Sequence, residues 1–235
     1  MNIIYASSGC DLEHIKSLGF DTVCGSYSLT ELDAMLTLGL KCILAGEPAT
    51  HPAVIACYAI DEPEVQKMSI ADQDVLIVGL KAKTSLPLAI ACIEEVEQQC
   101  STNFDVYMMD IYYSNKMSTF KNFLNAAISS QCIQIIYKGK KILPIVGLYD
   151  DAGPFVYAGE TQNKFNRFFR SMFPTQDYAV FYYPTMIQRP EYMIWAKEMN
   201  EGQKVSCFVR PLAYAAAWIF LKVNPLLGKW KVTVE

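Results

Sequence analysis

Eight short runs rich in Ile, Val, Tyr and Phe recur along the chain, at residues 3–7, 22–26, 42–45, 54–60, 86–93, 106–113, 142–149 and 179–183. Near-continuous apolar runs of this length suit strands buried on both faces, as in a parallel sheet. Between them the spacing turns helical. Asp11 can cap a segment carrying Leu12, Ile15 and Leu18, and Gly19 stops it. Thr30 or Ser28 caps the next, which carries Leu32, Met35, Leu36 and Leu38 and ends at Gly39. Residues 65–83, 117–130 and 163–172 also read as helices. Only Gly46 to Ala53 separate the third and fourth runs, too few residues for a full helix.

Eight strands in this alternation predict an α/β fold closed as a (β/α)8 TIM barrel, compact, with an abbreviated third helix. The doubly wound alternative wants a glycine-rich turn after the first strand, and Ser7-Ser8-Gly9-Cys10 does not supply one. No linker-like stretch interrupts the chain, so residues 1–235 are expected to form a single TIM-barrel domain. Beyond residue 190 the pattern accommodates a closing helix and a C-terminal strand from Lys229 to Val234.

Composition narrows the function classes. With 52% hydrophobic and 19% charged residues the chain can bury a sizeable core and is too apolar to be disordered. The 20 Lys+Arg against 24 Asp+Glu leave no basic stripe to neutralise phosphates, so nucleic acid is not an expected partner. The most apolar stretch, Leu212 to Leu221, is about half the length needed to span a bilayer, so no membrane association is expected. The N-terminus lacks the basic start and long apolar run of a secretory signal, which points to the cytoplasm, with a virion or release by lysis as the alternative. The 8 cysteines form no CxxC pair and only His14 and His51 could join them. Buried, reduced thiols are therefore expected, with no metal and no cofactor.

Active sites of such barrels collect at the C-terminal strand ends. Here those ends carry Ser7-Ser8, Ser26-Tyr27, Glu47, Asp61-Glu62-Pro63-Glu64, Asp110 with Tyr112-Tyr113, Tyr149-Asp150-Asp151 and Tyr182-Tyr183. Carboxylates and tyrosines dominate, and cations are nearly absent. Aromatic faces stack on a sugar ring, while carboxylates accept hydroxyl hydrogen bonds or act as acid and base, so a neutral carbohydrate is the expected ligand. Phosphate esters would want glycines, helix N-termini and cations.

The segment His51-Pro52-Ala53-Val54-Ile55-Ala56-Cys57-Tyr58-Ala59-Ile60-Asp61-Glu62-Pro63-Glu64 resembles the fourth-strand motif of glycoside-hydrolase-like TIM barrels. Residues 11–27 and 32–44 look like the first repeats of such a barrel, "FDVYMMDIYY" (Phe104 to Tyr113) like its sixth strand, and "ILPIVGLYD" (Ile142 to Asp150) like its seventh. Asp61-Glu62-Pro63 is the specific anchor of the resemblance. It implies Glu62 as general acid/base and Asp61 as a sugar-hydroxyl ligand. The other reading of the same residues is an N-terminal cap, with Pro63 in the first turn of the following helix. The family's nucleophile, a Glu ending the seventh strand, is missing here, and Asp150 or Asp110 is the candidate second carboxylate. Asp110 shares strand parity with Val106, Met108 and Tyr112. Asp150-Asp151 can equally be a turn before Gly153-Pro154. Tyr27, Tyr112, Tyr149 and Tyr182 are the expected sugar-binding aromatics.

Remaining features fit structural roles. His51, at the entry to strand four, is expected to bond locally. Glu94, Glu95 and Glu97 read as a solvated face, and Trp195, Trp218 and Trp230 as packing residues. Two function classes fit: a glycoside hydrolase acting on a neutral oligo- or polysaccharide, or an inactive hydrolase-like barrel that binds carbohydrate or serves as a structural module. The second could belong to a homo-oligomer or a larger, even viral, assembly.

Overall fold

The structure is a computed structural model that describes residues 1–93, 100–149, 158–173, 175, 177–201, 215 and 219. Eight parallel strands close a barrel in sequence order. They are β1 (Asn2–Tyr5), β2 (Thr22–Gly25), β3 (Lys41–Ala45), β4 (Val54–Asp61), β5 (Leu88–Cys92), β6 (Val106–Asp110), β7 (Lys141–Gly147) and β8 (Tyr178–Phe181). Each of the eight expected barrel strands is present. Several stop earlier than the apolar runs do, because Tyr112 and Tyr149 lie beyond the last ladder bonds and crown the barrel instead.

Among the described residues seven helices flank the strands: α1 (Leu12–Ser17), α2 (Leu29–Leu38), α3 (Ile70–Lys81), α4 (Thr119–Ile136), α5 (Glu160–Ser171), α6 (Tyr183–Met186) and α7 (Pro190–Asn200). Local chemistry sets their ends. The Asp11 carboxylate accepts from His14 N at 2.9 Å. Ser28, not Thr30, caps α2 in a reciprocal box with Glu31, and Gly39 closes it in the left-handed conformation. No helix fills the connection from β3 to β4. Asp61-Glu62-Pro63 does not cap α3: residues 63–67 form turns, and the cap is Ser69, whose side chain accepts from Asp72 N. The C-terminal strand expected at residues 229–234 and the residues Trp218 and Trp230 lie outside the described residues.

Side chains inside and outside the strands separate into two cores. Ile3, Cys24, Ile43, Ala56, Ala89, Ala91, Val106, Met108, Leu143, Ile145 and Ala179 fill the barrel. The outer layer, between strands and helices, includes Ile4, Val23, Cys57, Ile60, Ile90, Tyr107 and Val146. A register shift between Tyr58 and Ile60 lets both positions keep opposite surroundings despite their even spacing. Tyr58 packs on the inner core and Ile60 in the outer one. The bulge thereby re-aims the strand end that carries the two adjacent acids.

Candidate active site

Two strand ends bring carboxyl groups together at the C-terminal mouth. Asp110 ends β6 and is 6% exposed. Burial pushes its carboxyl well above the ordinary range; the hydrogen bond from Tyr112 opposes the shift, and the negative charges of Glu62 and Asp61 reinforce it. The Glu62 side chain beside it acts in the same direction. Tyr112 Oη donates to Asp110 Oδ1 at 2.9 Å.

Glu62 follows β4 with φ of 44°, a left-handed conformation uncommon for a residue with a side chain. Its N–H donates to Ala91 O at 3.0 Å, tying the strained residue to β5. The neighbouring Asp61 is exposed and accepts from Tyr58 Oη at 2.6 Å. Tyr5 reaches the same group, with its hydroxyl 3.4 Å from Tyr58 Oη and 3.7 Å from Met108 Sδ. Glu64 accepts from Ile93 N through one oxygen, and burial raises its carboxyl pKa.

Aromatic rings wall one side. Tyr112 and Tyr149 meet edge to face at 5.2 Å, Tyr149 and Phe181 at 5.4 Å, and Tyr182 stacks on Phe181 at 4.9 Å. Gly147 makes this cluster possible: a Cβ there would lie 2.8 Å from Tyr149 Cε1 and 3.0 Å from Tyr112 Cδ1. The Gly147 carbonyl accepts from Gln162 at 2.9 Å and Asn166 at 2.8 Å, so α5 holds the floor beneath the rings.

Of the residues expected from sequence, Glu62, Asp61, Asp110, Tyr112, Tyr149 and Tyr182 stand at this mouth. Tyr27 stands elsewhere: it packs against the outer core, and its hydroxyl donates to Ala6 O at 2.6 Å. Asp150, together with Asp151, Glu94, Glu95 and Glu97, lies outside the described residues. Glu47 is exposed and pairs with Lys83 at 3.1 Å. His51 bonds locally, with Nε2 3.2 Å from Asp33 and Nδ1 accepting from Ala53 N. Trp195 is buried beside Tyr192 in α7. Sequence reasoning passed over Tyr5, Tyr58 and Phe181, although their parity with Ile3, Ala56 and Ala179 marks them as inward-facing.

Among the described residues no group of three His, Cys, Asp or Glu could hold a metal ion, and no helix is long and apolar enough to cross a membrane. No Lys or Arg among them pairs with Asp61, Glu62, Glu64 or Asp110. The mouth can therefore accept hydroxyl hydrogen bonds, stack a ring and move a proton.

No protein-family model and no curated protein matches the chain. Solved structures do. A β-glucuronidase from Bifidobacterium dentium, complexed with coumarin-3-O-glucuronide, aligns with a TM-score of 0.64 at 13% identity over 87% of this chain and 47% of its own. A β-glucuronidase from Ruminococcus gnavus in complex with D-glucuronic acid aligns with a TM-score of 0.60 at 11% identity over 77% of this chain and 42% of its own. A GH128 endo-β-1,3-glucanase from Amycolatopsis mediterranei, in complex with laminarihexaose, aligns with a TM-score of 0.54 at 13% identity over 92% of this chain and 98% of its own. The chain thus spans less than half the length of either β-glucuronidase. At these identities the likeness is one of fold alone, a (β/α)8 TIM barrel.

Proposed function

We propose that the barrel mouth binds a neutral oligo- or polysaccharide and hydrolyses it, with Glu62 as general acid/base. The carrying observation is the placement of Glu62, tied to β5 through Ala91, beside buried Asp110 where β4 and β6 end along the aromatic wall. One proton held between two carboxyls can be delivered to a glycosidic oxygen through Glu62 and later recovered, as general acid–base catalysis requires. Tyr149 and Phe181 offer ring faces and edges to the sugar, and Asp61 accepts its hydroxyls. Among the described residues no Lys or Arg pairs with Asp61, Glu62, Glu64 or Asp110, which favours an uncharged ring over a uronate, the ligand named for both β-glucuronidases.

Asp110 and Asp150 are the two candidates for the second carboxylate. Retaining enzymes space their two carboxyls at roughly 5–5.5 Å and inverting ones at roughly 6.5–9.5 Å. Asp110 lies close to Glu62 and its raised carboxyl suits a proton store beside the acid, which leaves the nucleophile or water-activating base to Asp150.

The same closeness favours a second reading, a barrel that binds glycan without turnover. A panel of neutral glucan oligosaccharides, β-1,3-linked chains included, separates the two. Release of reducing ends by the wild type and its loss in Glu62→Gln is expected. Release that survives Glu62→Gln unchanged overturns Glu62 as the acid, and binding without release by either protein selects the second reading.

A further inference from the structure

The end of β5 and the segment leading to β6 bring two sulfurs into contact. Cys92 Sγ and Cys100 Sγ are 3.1 Å apart, with Cys92 fully buried and Cys100 4% exposed. A disulfide bond is about 2.05 Å long, so closing one requires a movement of roughly 1 Å. The backbone on both sides is held. Ser101 N donates to Gln73 Oε1 at 2.8 Å, and Tyr107 Oη donates to Ser101 O at 2.7 Å. The Ser101 hydroxyl also donates to Asp74. On the strand side, Cys92 stands between Ala91, whose carbonyl accepts from Glu62 N, and Ile93, whose N–H donates to Glu64.

We propose that Cys92 and Cys100 form a redox pair, joined into a disulfide by hydrogen peroxide and so linking the end of β5 to the segment that enters β6 beside the acidic mouth. The pair is preorganised, and Cys100, 4% exposed, is the sulfur that peroxide meets first. One thiolate attacks the peroxide O–O bond, giving a sulfenic acid and releasing the first water. The second sulfur attacks the sulfenic sulfur and expels the second water. In balance, two S–H bonds break, one S–S bond forms, and peroxide takes up the two electrons and two protons. Burial, followed by the Cys100 sulfur and the nearby Glu64 and Asp110 carboxyls, raises the Cys92 thiol above its ordinary range. Glycan turnover is not required for any of this.

The test treats the full folded chain with hydrogen peroxide, alkylates it with iodoacetamide in denaturant without reductant, and maps the peptides by mass. A peptide pair joining Cys92 to Cys100, about 2 Da lighter than its two thiols, is expected, with both alkylation sites lost and regained after reduction. Cys100→Ser, checked by circular dichroism, should leave Cys92 without a cross-linked partner; Cys100→Ala replaces it if the serine variant does not fold. Full alkylation of both cysteines after treatment, or a disulfide joining either of them to a different cysteine, overturns the proposal.

Discussion

Asp110 and Tyr112, two residues apart on one face of the chain, meet through a 2.9 Å hydrogen bond in which the phenol donates and the carboxyl accepts. Burial holds that carboxyl well above its ordinary range even so, since the single donor does not offset desolvation and the charges of Glu62 and Asp61.

Such a raised group has a definite sign in stability. The folded state binds the Asp110 proton more tightly than the unfolded chain, so its contribution is fully present below the unfolded pKa and is lost as pH rises through the folded one. Asp110→Asn keeps an acceptor for Tyr112 while removing the proton uptake that folding requires at neutral pH. It should melt higher than wild type at neutral pH, by roughly 2–4 °C for each 1 kcal/mol relieved, and the gain should shrink toward pH 4. Thermal melts across pH measure it; an unchanged or lower melting temperature at pH 7 contradicts the assignment. In glycan hydrolysis the same variant should flatten the alkaline limb of the rate profile, where a proton-holding group is lost as pH rises.

Glu31 has the opposite sign. Its carboxylate is lowered from 4.5 to about 2, first by the Ser8 hydroxyl, then by the Ser28 amide, with the Gly9 amide and Ser28 hydroxyl contributing less. The stability it supplies is present above pH 4.5 and is lost as pH falls through about 2. Because the residue is only partly buried, solvent screening limits the effect of Glu31→Gln to about 1 kcal/mol at neutral pH. Urea melts at pH 7 and near pH 2 should show that difference only at the higher value.

Gly147→Ala tests the floor under the rings. The new methyl would press on Tyr149 and Tyr112 at 2.8 and 3.0 Å. A loss of about 1–3 kcal/mol in urea unfolding is expected from such overpacking. Weaker glycan binding should accompany it, since both rings must shift. Wild-type stability would show that the aromatic cluster yields without strain.

Two tyrosines at strand ends should behave differently. Tyr27→Phe removes the donor to Ala6 O and should cost about 1 kcal/mol of stability with glycan affinity unchanged. Tyr149→Ala should weaken glycan binding by about tenfold, or 1.4 kcal/mol. Isothermal titration with a neutral glucan oligosaccharide distinguishes them. A Tyr27→Phe variant that loses affinity would return Tyr27 to the binding face.

The eight strands and the first two helix caps were legible in the residues themselves. Strands covered on both faces leave no polar positions, so they read as unbroken apolar runs, and Asp11, Ser28, Gly19 and Gly39 mark the ends of α1 and α2 by local hydrogen bonding and backbone freedom alone. Tertiary structure decided which polar residues meet. Glu62 and Asp110 stand on strands two places apart in the barrel, and closure with a right register is what unites them. The register shift after Tyr58 decides that Ile60 faces outward and that Tyr58 meets Asp61. Tyr5 and Phe181 reach the mouth while Tyr27 turns to the outer layer. An apolar run announces that a strand is buried, but side-chain direction alternates at every residue. A one-residue bulge or an early strand end therefore reverses which side chain faces the site.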